Sequence, residues 1–187
     1  LSMFCPAEIV YNHNMINTSS LSALRGTPVC AVVAALCFCT ALATHADSVV
    51  VFNELMYHPP VNEATLEWIE LRNMMSVDID LSGWALTNGV NYVFPEGTIA
   101  PGRGYVVIAS DPVALAAQTG LPGILGPFNG RLGNSGETLT LCDNSGRVMD
   151  ELTYADAGDW PVAADGSGAT LALLDEDGAR GAAHAWG

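Results

Sequence analysis

From Asp47 onward the chain is written almost wholly in short alternating runs, and no other feature limits its folds as much. Alternation of apolar and polar residues puts every second side chain on one face of a strand, so each run has one face to bury. Eight such runs stand out: 49–56 (VVVFNELM), 66–73 (LEWIELRN), 84–88 (WALTN), 90–94 (VNYVF), 104–109 (GYVVIA), 137–142 (ETLTLC), 147–154 (RVMDELTY) and 169–174 (ATLALL). Gly, Pro, Asn and Asp separate them, the residues that close tight turns. Eight short strands with turn signals between them predict an all-β sandwich or barrel and exclude a βαβ fold. Pro101-Gly102 suits the central pair of a type II turn, and Asp143-Asn144-Ser145-Gly146 reads as a tight hairpin. Only 111–120 (DPVALAAQTG) has helical signals, with Asp111 as N-cap, Pro112 at the first helical position and Gly120 as the stop. The Gly- and Asn-rich stretch 121–136 is a long loop suited to carrying a binding surface. No fixed period repeats, which excludes a solenoid or propeller.

The first 46 residues follow another logic. Residues 29–43 (VCAVVAALCFCTALA) are an unbroken apolar run preceded by Arg25. At 15 residues the run is shorter than the roughly 20 a bilayer span needs. Thr44 and Ala46 stand where a signal peptidase requires small residues, so the segment is read as a secretory signal peptide cleaved between Ala46 and Asp47. Translation is expected to start at Met15, with Met3 as the other candidate. Leu36 before Cys37 argues against a lipoprotein anchor. The expected organisation is therefore 1–46 as upstream residues plus signal peptide and 47–187 as one β-sandwich domain, with no membrane span after signal removal.

Cysteine and charge divide at the same boundary. Four of the five cysteines precede Asp47, which leaves Cys142 alone and rules out a disulfide within 47–187. At a strand end with no histidine nearby in sequence, Cys142 reads as a small packed thiol, pairing with another chain being the alternative. Residues 47–187 hold five arginines, no lysine and nineteen acidic residues, a formal charge of −14. So acidic a surface repels phosphate backbones, so nucleic acid is not expected as a partner.

The stretch most suggestive of chemistry is 67–73, EWIELRN, with two glutamates three apart. On a strand, residues three apart point to opposite faces, so Glu67 and Glu70 cannot work as one acid–base pair. Glu67 shares a face with Ile69 and Leu71, and is expected to accept backbone hydrogen bonds at the sandwich edge. Glu70 shares the other face with Trp68 and Arg72, and a Glu70–Arg72 ion pair there is worth under about 1 kcal/mol.

Other constellations are weaker still. His58 and His184 are the histidines of 47–187, and neither has zinc-ligand spacing. GNSGE (133–137) departs from G-x-S-x-G and follows no strand-to-helix turn, so a glycine-rich turn is expected. Asp143 begins no EF-hand, because the twelfth position from it is Tyr154. Weak calcium association at Asp175–Asp177 is the remaining cation expectation, against a solvated acidic turn. Trp84 is assigned to the core, and Trp160 to either an exposed aromatic or a plug at one end of the sandwich. No catalytic, cofactor-binding or metal residues are assigned, and no cofactor is expected.

Taken in order, NELMYHPP (53–60), EWIELRN (67–73), VDIDLSGWALTN (77–88), FPEGTIAPGRGYVVIASD (94–111), LGNSGETLTLCDNSGRVMDELTY (132–154) and DWP (159–161) resemble the lamin tail domains, in particular their secreted bacterial branch. The resemblance spans about 49–174, and Trp186-Gly187 resembles the start of the family's closing strand, whose following turn is missing from this sequence. It implies an immunoglobulin-like β-sandwich without catalytic activity, in which Glu67, Trp68, Glu70, Leu71 and Asn73 are fold determinants. It further implies an exported or envelope-located module that contacts proteins or cell-envelope polysaccharide within a larger secreted protein. The alternative is an accessory domain of a secreted hydrolase, beside a nuclease, phosphoesterase or CotH-like domain.

Overall fold

The computed structural model describes residues 48–175 and 180–187. The signal-peptide assignment and residues 176 and 177 of the acidic turn lie outside them. The elements run β1 (Val50–Met56), α1 (Glu63–Leu66), β2 (Trp68–Asn73), β3 (Ile79–Asp80), β4 (Ala85–Thr87), β5 (Val90–Val93), β6 (Ile99–Ala100), β7 (Tyr105–Ala109), α2 (Pro112–Thr119), β8 (Asn129–Gly130), β9 (Gly136–Cys142), β10 (Val148–Ala155) and β11 (Leu171–Ala172). All eight runs read from the sequence contain a strand. The three short strands β3, β6 and β8 were not expected, because two residues are too few to display alternation.

One sheet has the order β11-β1-β2-β7, a second β10-β9-β4-β5-β8, and β3 pairs with β6 in a small third. Every pairing between named strands is antiparallel. The inner faces of the two larger sheets meet in one core, with Phe52, Leu55, Ile69, Leu71 and Ile108 on one side and Leu86, Leu139, Leu141, Leu152 and Tyr154 on the other. Each fully buried Leu or Ile of this layer contributes about 1.5–3 kcal/mol through removal from water. The arrangement is an immunoglobulin-like sandwich.

Two bulges reconcile the sequence with that core. Phe52 pairs with Leu71 and Leu55 with Ile69, so Asn53 is an extra residue that lets side chains three apart share the inner face. The register between β9 and β10 shifts in the same way at Met149, between Val148 and Asp150. The Asp150 carboxylate then reaches the other sheet and accepts from Phe52 N at 2.9 Å, tying the two bulged strands together.

Helix α2 has the ends its sequence specifies. Asp111 accepts from Val113 N and Ala114 N at 3.0 Å each, and Gly120 closes the helix in the left-handed conformation. The short α1 was not expected. Asn62, left-handed at φ 51°, lets its carbonyl accept from Thr65 N and Leu66 N, so Leu66 ends a helical turn and β2 begins at Trp68. The turn at Pro101 sits one residue later than predicted. Gly104 N donates to Pro101 O, and Arg103 takes the positive φ of 58°. Gly102 is needed for another reason: a Cβ there would lie 2.5 Å from Ser76 O. The run 169–174 is trimmed to Leu171–Ala172, flanked by a bridge from Leu173 to Trp186.

Candidate functional site

Glu67 and Glu70 lie on opposite faces of the first sheet, as strand geometry requires. Ile69 and Leu71, between and beyond them, are fully buried, whereas Glu70 points outward with Trp68. Glu67 has extended backbone as the C-cap of α1, and its side chain is 0% exposed. Its carboxylate accepts from Leu132 N at 3.1 Å and from Arg131 Nε at 3.3 Å, with Arg131 Nη2 also 3.3 Å away. Burial pushes the Glu67 carboxyl above its ordinary range, while the Leu132 amide and the Arg131 guanidinium pull it back. The expected role, acceptance of backbone hydrogen bonds at the sandwich edge, is the one observed.

Around this carboxylate one end of the sandwich is cross-linked by polar contacts. Arg131, about half exposed, also reaches Glu63 at 3.3 Å, and Asn134 donates to the same carboxylate at 2.8 Å. The Tyr154 hydroxyl donates to Gly133 O at 3.0 Å and lies 3.2 Å from a Glu137 oxygen that also accepts from Gly133 N. Burial first, and then the Glu137 charge, raise the Tyr154 hydroxyl far above a free phenol. Tyr57 stacks on Tyr154 with ring centroids 4.8 Å apart, and burial followed by the charges of Asp165 and Asp156 pushes it up to about 12. Both phenols therefore stay neutral at physiological pH. GNSGE is thus the turn expected of it, held by Glu137 and Tyr154.

Chemically, this cluster pins loops. The loop 131–135 is tied to the start of β2 by Glu67, and a carboxylate with no exposed surface offers a substrate no approach. Nothing local in the sequence marks Arg131 and Leu132 as partners of Glu67, from which they lie 64 and 65 residues away, or Tyr154 as the partner of Gly133 and Glu137.

The other candidates have places of their own. Glu70 accepts from Asn53 Nδ2 at 2.8 Å, and the Arg72 guanidinium lies 5.8 Å from the centre of the Tyr105 ring. The cross-strand Asn53 bond is a partner the sequence did not reveal. His58 Nδ1 is 2.5 Å from Asp165 Oδ1, which ties the stretch after β1 to the loop before β11. His184 falls in a short helical turn, Ala183–Ala185. Cys142 is buried with its sulfur 4.0 Å from Thr87 Oγ1, in keeping with the packed-thiol reading. Asp143 Oδ1 accepts from Ser145 N, Ser145 Oγ and Arg147 N, so this carboxylate organises its own hairpin. Those bonds, Ser145 Oγ foremost, hold the Asp143 carboxyl below its usual range. Among the described residues no three His, Cys, Asp or Glu side chains are grouped to hold a metal ion. Trp84 belongs to the core, and Trp160 is half-buried against it, as a plug requires. Trp186 is buried, and its Nε1 donates to Arg180 O at 2.9 Å. Gly187 and Ala172 exchange two 2.9 Å backbone bonds, so the 185–187 stretch pairs along β11.

A search of curated proteins found no match. A family model described as Lamin Tail Domain matches residues 43–156, which include every strand from β1 to β10. The sandwich, the order of its motifs and this match agree, and the chain belongs to the lamin tail domain family, a family of non-enzymatic immunoglobulin-like domains.

Proposed function

We propose that the chain is an exported, non-catalytic contact module that holds protein or envelope polysaccharide as part of a larger secreted protein. The single observation that carries this reading is the match to a family of non-enzymatic domains, which covers strands β1 to β10 of the sandwich. The presequence pattern of residues 25–46 supports export, with 47–187 as the exported domain. The formal charge of −14 supports solubility outside the cell and disfavours nucleic acid. The burial of Glu67 adds to this, because the carboxylate that most resembles a catalytic group is committed to holding a loop.

The test combines the complete reading frame with a retention experiment. The immobilised chain is expected to retain a component of an envelope extract, assayed separately as protein and as polysaccharide fractions. Failure to retain either fraction, together with substrate turnover by the chain itself, would overturn the reading. A reading frame in which a nuclease, phosphoesterase or CotH-like domain adjoins this one would favour the accessory-domain role instead.

A further inference from the structure

A cleft of about 590 Å³ runs along the side of β7 that faces away from β2. Its floor carries Glu70, Tyr105 and Val107 from the outer face of the sheet, and the loops around Glu96 and Leu121 wall it. Ile99, Tyr105 and Leu121 stand in it 45%, 45% and 44% exposed, a concentration of large apolar side chains that a solvated surface does not need.

The backbone here holds an unfinished pairing. Leu125 N donates to Val107 O at 2.8 Å, and Leu125 O accepts from Ala109 N at 2.9 Å, in a single parallel bridge. In an extended strand the N–H and C=O of one residue face the same side, so the Val107 N–H is also turned away from β2. It has no acceptor among the described residues. The chain before Leu125 makes no backbone bond to this N–H, and Gly123 there takes the left-handed φ of 73°. Pairing thus begins at Leu125 and stops where the cleft opens. Of the two acidic residues lining the cleft, Glu96 stands exposed on its wall, whereas Glu70 on the floor accepts from Asn53 and has Arg72 as a neighbour on its own face.

We propose that this cleft takes an extended segment of a partner polypeptide, apolar residues alternating with Lys or Arg, laid alongside β7. The Val107 N–H supplies a main-chain bond, Ile99, Tyr105 and Leu121 receive the apolar side chains, and Glu96 faces the cationic ones. This deepens the contact-module reading and rests on it, by assigning the partner's chemistry and the surface it occupies.

The test is a selection of random dodecapeptides displayed on phage against the full chain, followed by affinity measurement for the enriched peptides. The expected sequences alternate Arg or Lys with apolar residues. Glu96→Lys and Leu121→Asp, both at exposed positions, should weaken them about tenfold or more without altering the circular dichroism spectrum. The bound peptide should also slow hydrogen exchange at the Val107 amide. No enrichment, enrichment of acidic peptides, or binding unmoved by both substitutions would overturn the proposal. So would protection of Val107 by chitohexaose in place of a peptide, or self-association of the chain that both substitutions abolish. Enriched peptides that bind elsewhere would overturn the cleft and leave the contact-module reading standing, whereas turnover of a substrate by the chain would count against that reading alone.

Discussion

Replacing Arg131 by Met probes the Glu67 cluster through its pH dependence. The substitution removes two of the three close nitrogen contacts of a carboxylate that has no exposed surface, leaving Leu132 N at 3.1 Å. Removing one partner of a fully buried ion pair costs about 3–5 kcal/mol. Arg131 itself is 52% exposed, so water already screens part of the attraction and the expected loss at neutral pH is smaller, about 2–3 kcal/mol. The sign of the pH dependence follows from burial. Glu67 in the folded chain is raised above its ordinary 4.5, so the native state takes up the proton first as pH falls. Its contribution to stability is full below that ordinary value and is lost as pH rises through the folded value. Without Arg131 the folded value rises further. The Arg131→Met penalty is therefore largest at neutral pH and fades toward about pH 4, where the carboxyl is neutral. Urea unfolding followed by tryptophan fluorescence at both pH values measures it. Adding Glu67→Gln should restore part of the loss at neutral pH by removing the unpaired charge. Equal losses at both pH values, or a double variant less stable than Arg131→Met alone, would refute the reasoning.

The remaining perturbations test the frame around the cluster. Ile69→Asp places a charge on a fully buried face and is expected to leave the chain unfolded by circular dichroism at room temperature. Asp111→Ala deletes both N-cap bonds of α2 and should cost about 0.5–2 kcal/mol in denaturant unfolding, with Asp111→Asn recovering most of it. Gly136→Ala forces a Cβ to 2.3 Å from Tyr154 O at φ 97°, so a fall in stability of more than about 1 kcal/mol is expected by thermal unfolding.

The sequence disclosed the elements better than their junctions. Alternation located every strand long enough to alternate, and the Asp-Pro and Gly signals bounded α2 because capping is local chemistry. The opposite faces of Glu67 and Glu70 followed from strand period alone. The bulges at Asn53 and Met149 were hidden because an extra residue in a strand looks like a lapse in the pattern, and only the partner strand shows which side chain is displaced. Arg131 and Leu132 were hidden by separation along the chain, since loop closure brings them to Glu67 and no local signal announces it. The cleft beside β7 was legible in part, since the 121–136 loop that supplies Leu121 to its wall reads as one suited to a binding surface, but its meeting with the turn around Glu96 has no local signal. Its walls come from two loops whose Pro and Gly residues signal turns without saying what the turns enclose.

The most direct test of the account sets the full chain against nuclease, phosphoesterase, esterase and glycosidase substrates, beside Glu67→Gln and Glu70→Gln variants shown to be folded. The account predicts that none of the three proteins accelerates any reaction above background. Turnover by the unaltered chain that either substitution abolishes in a folded protein would contradict it.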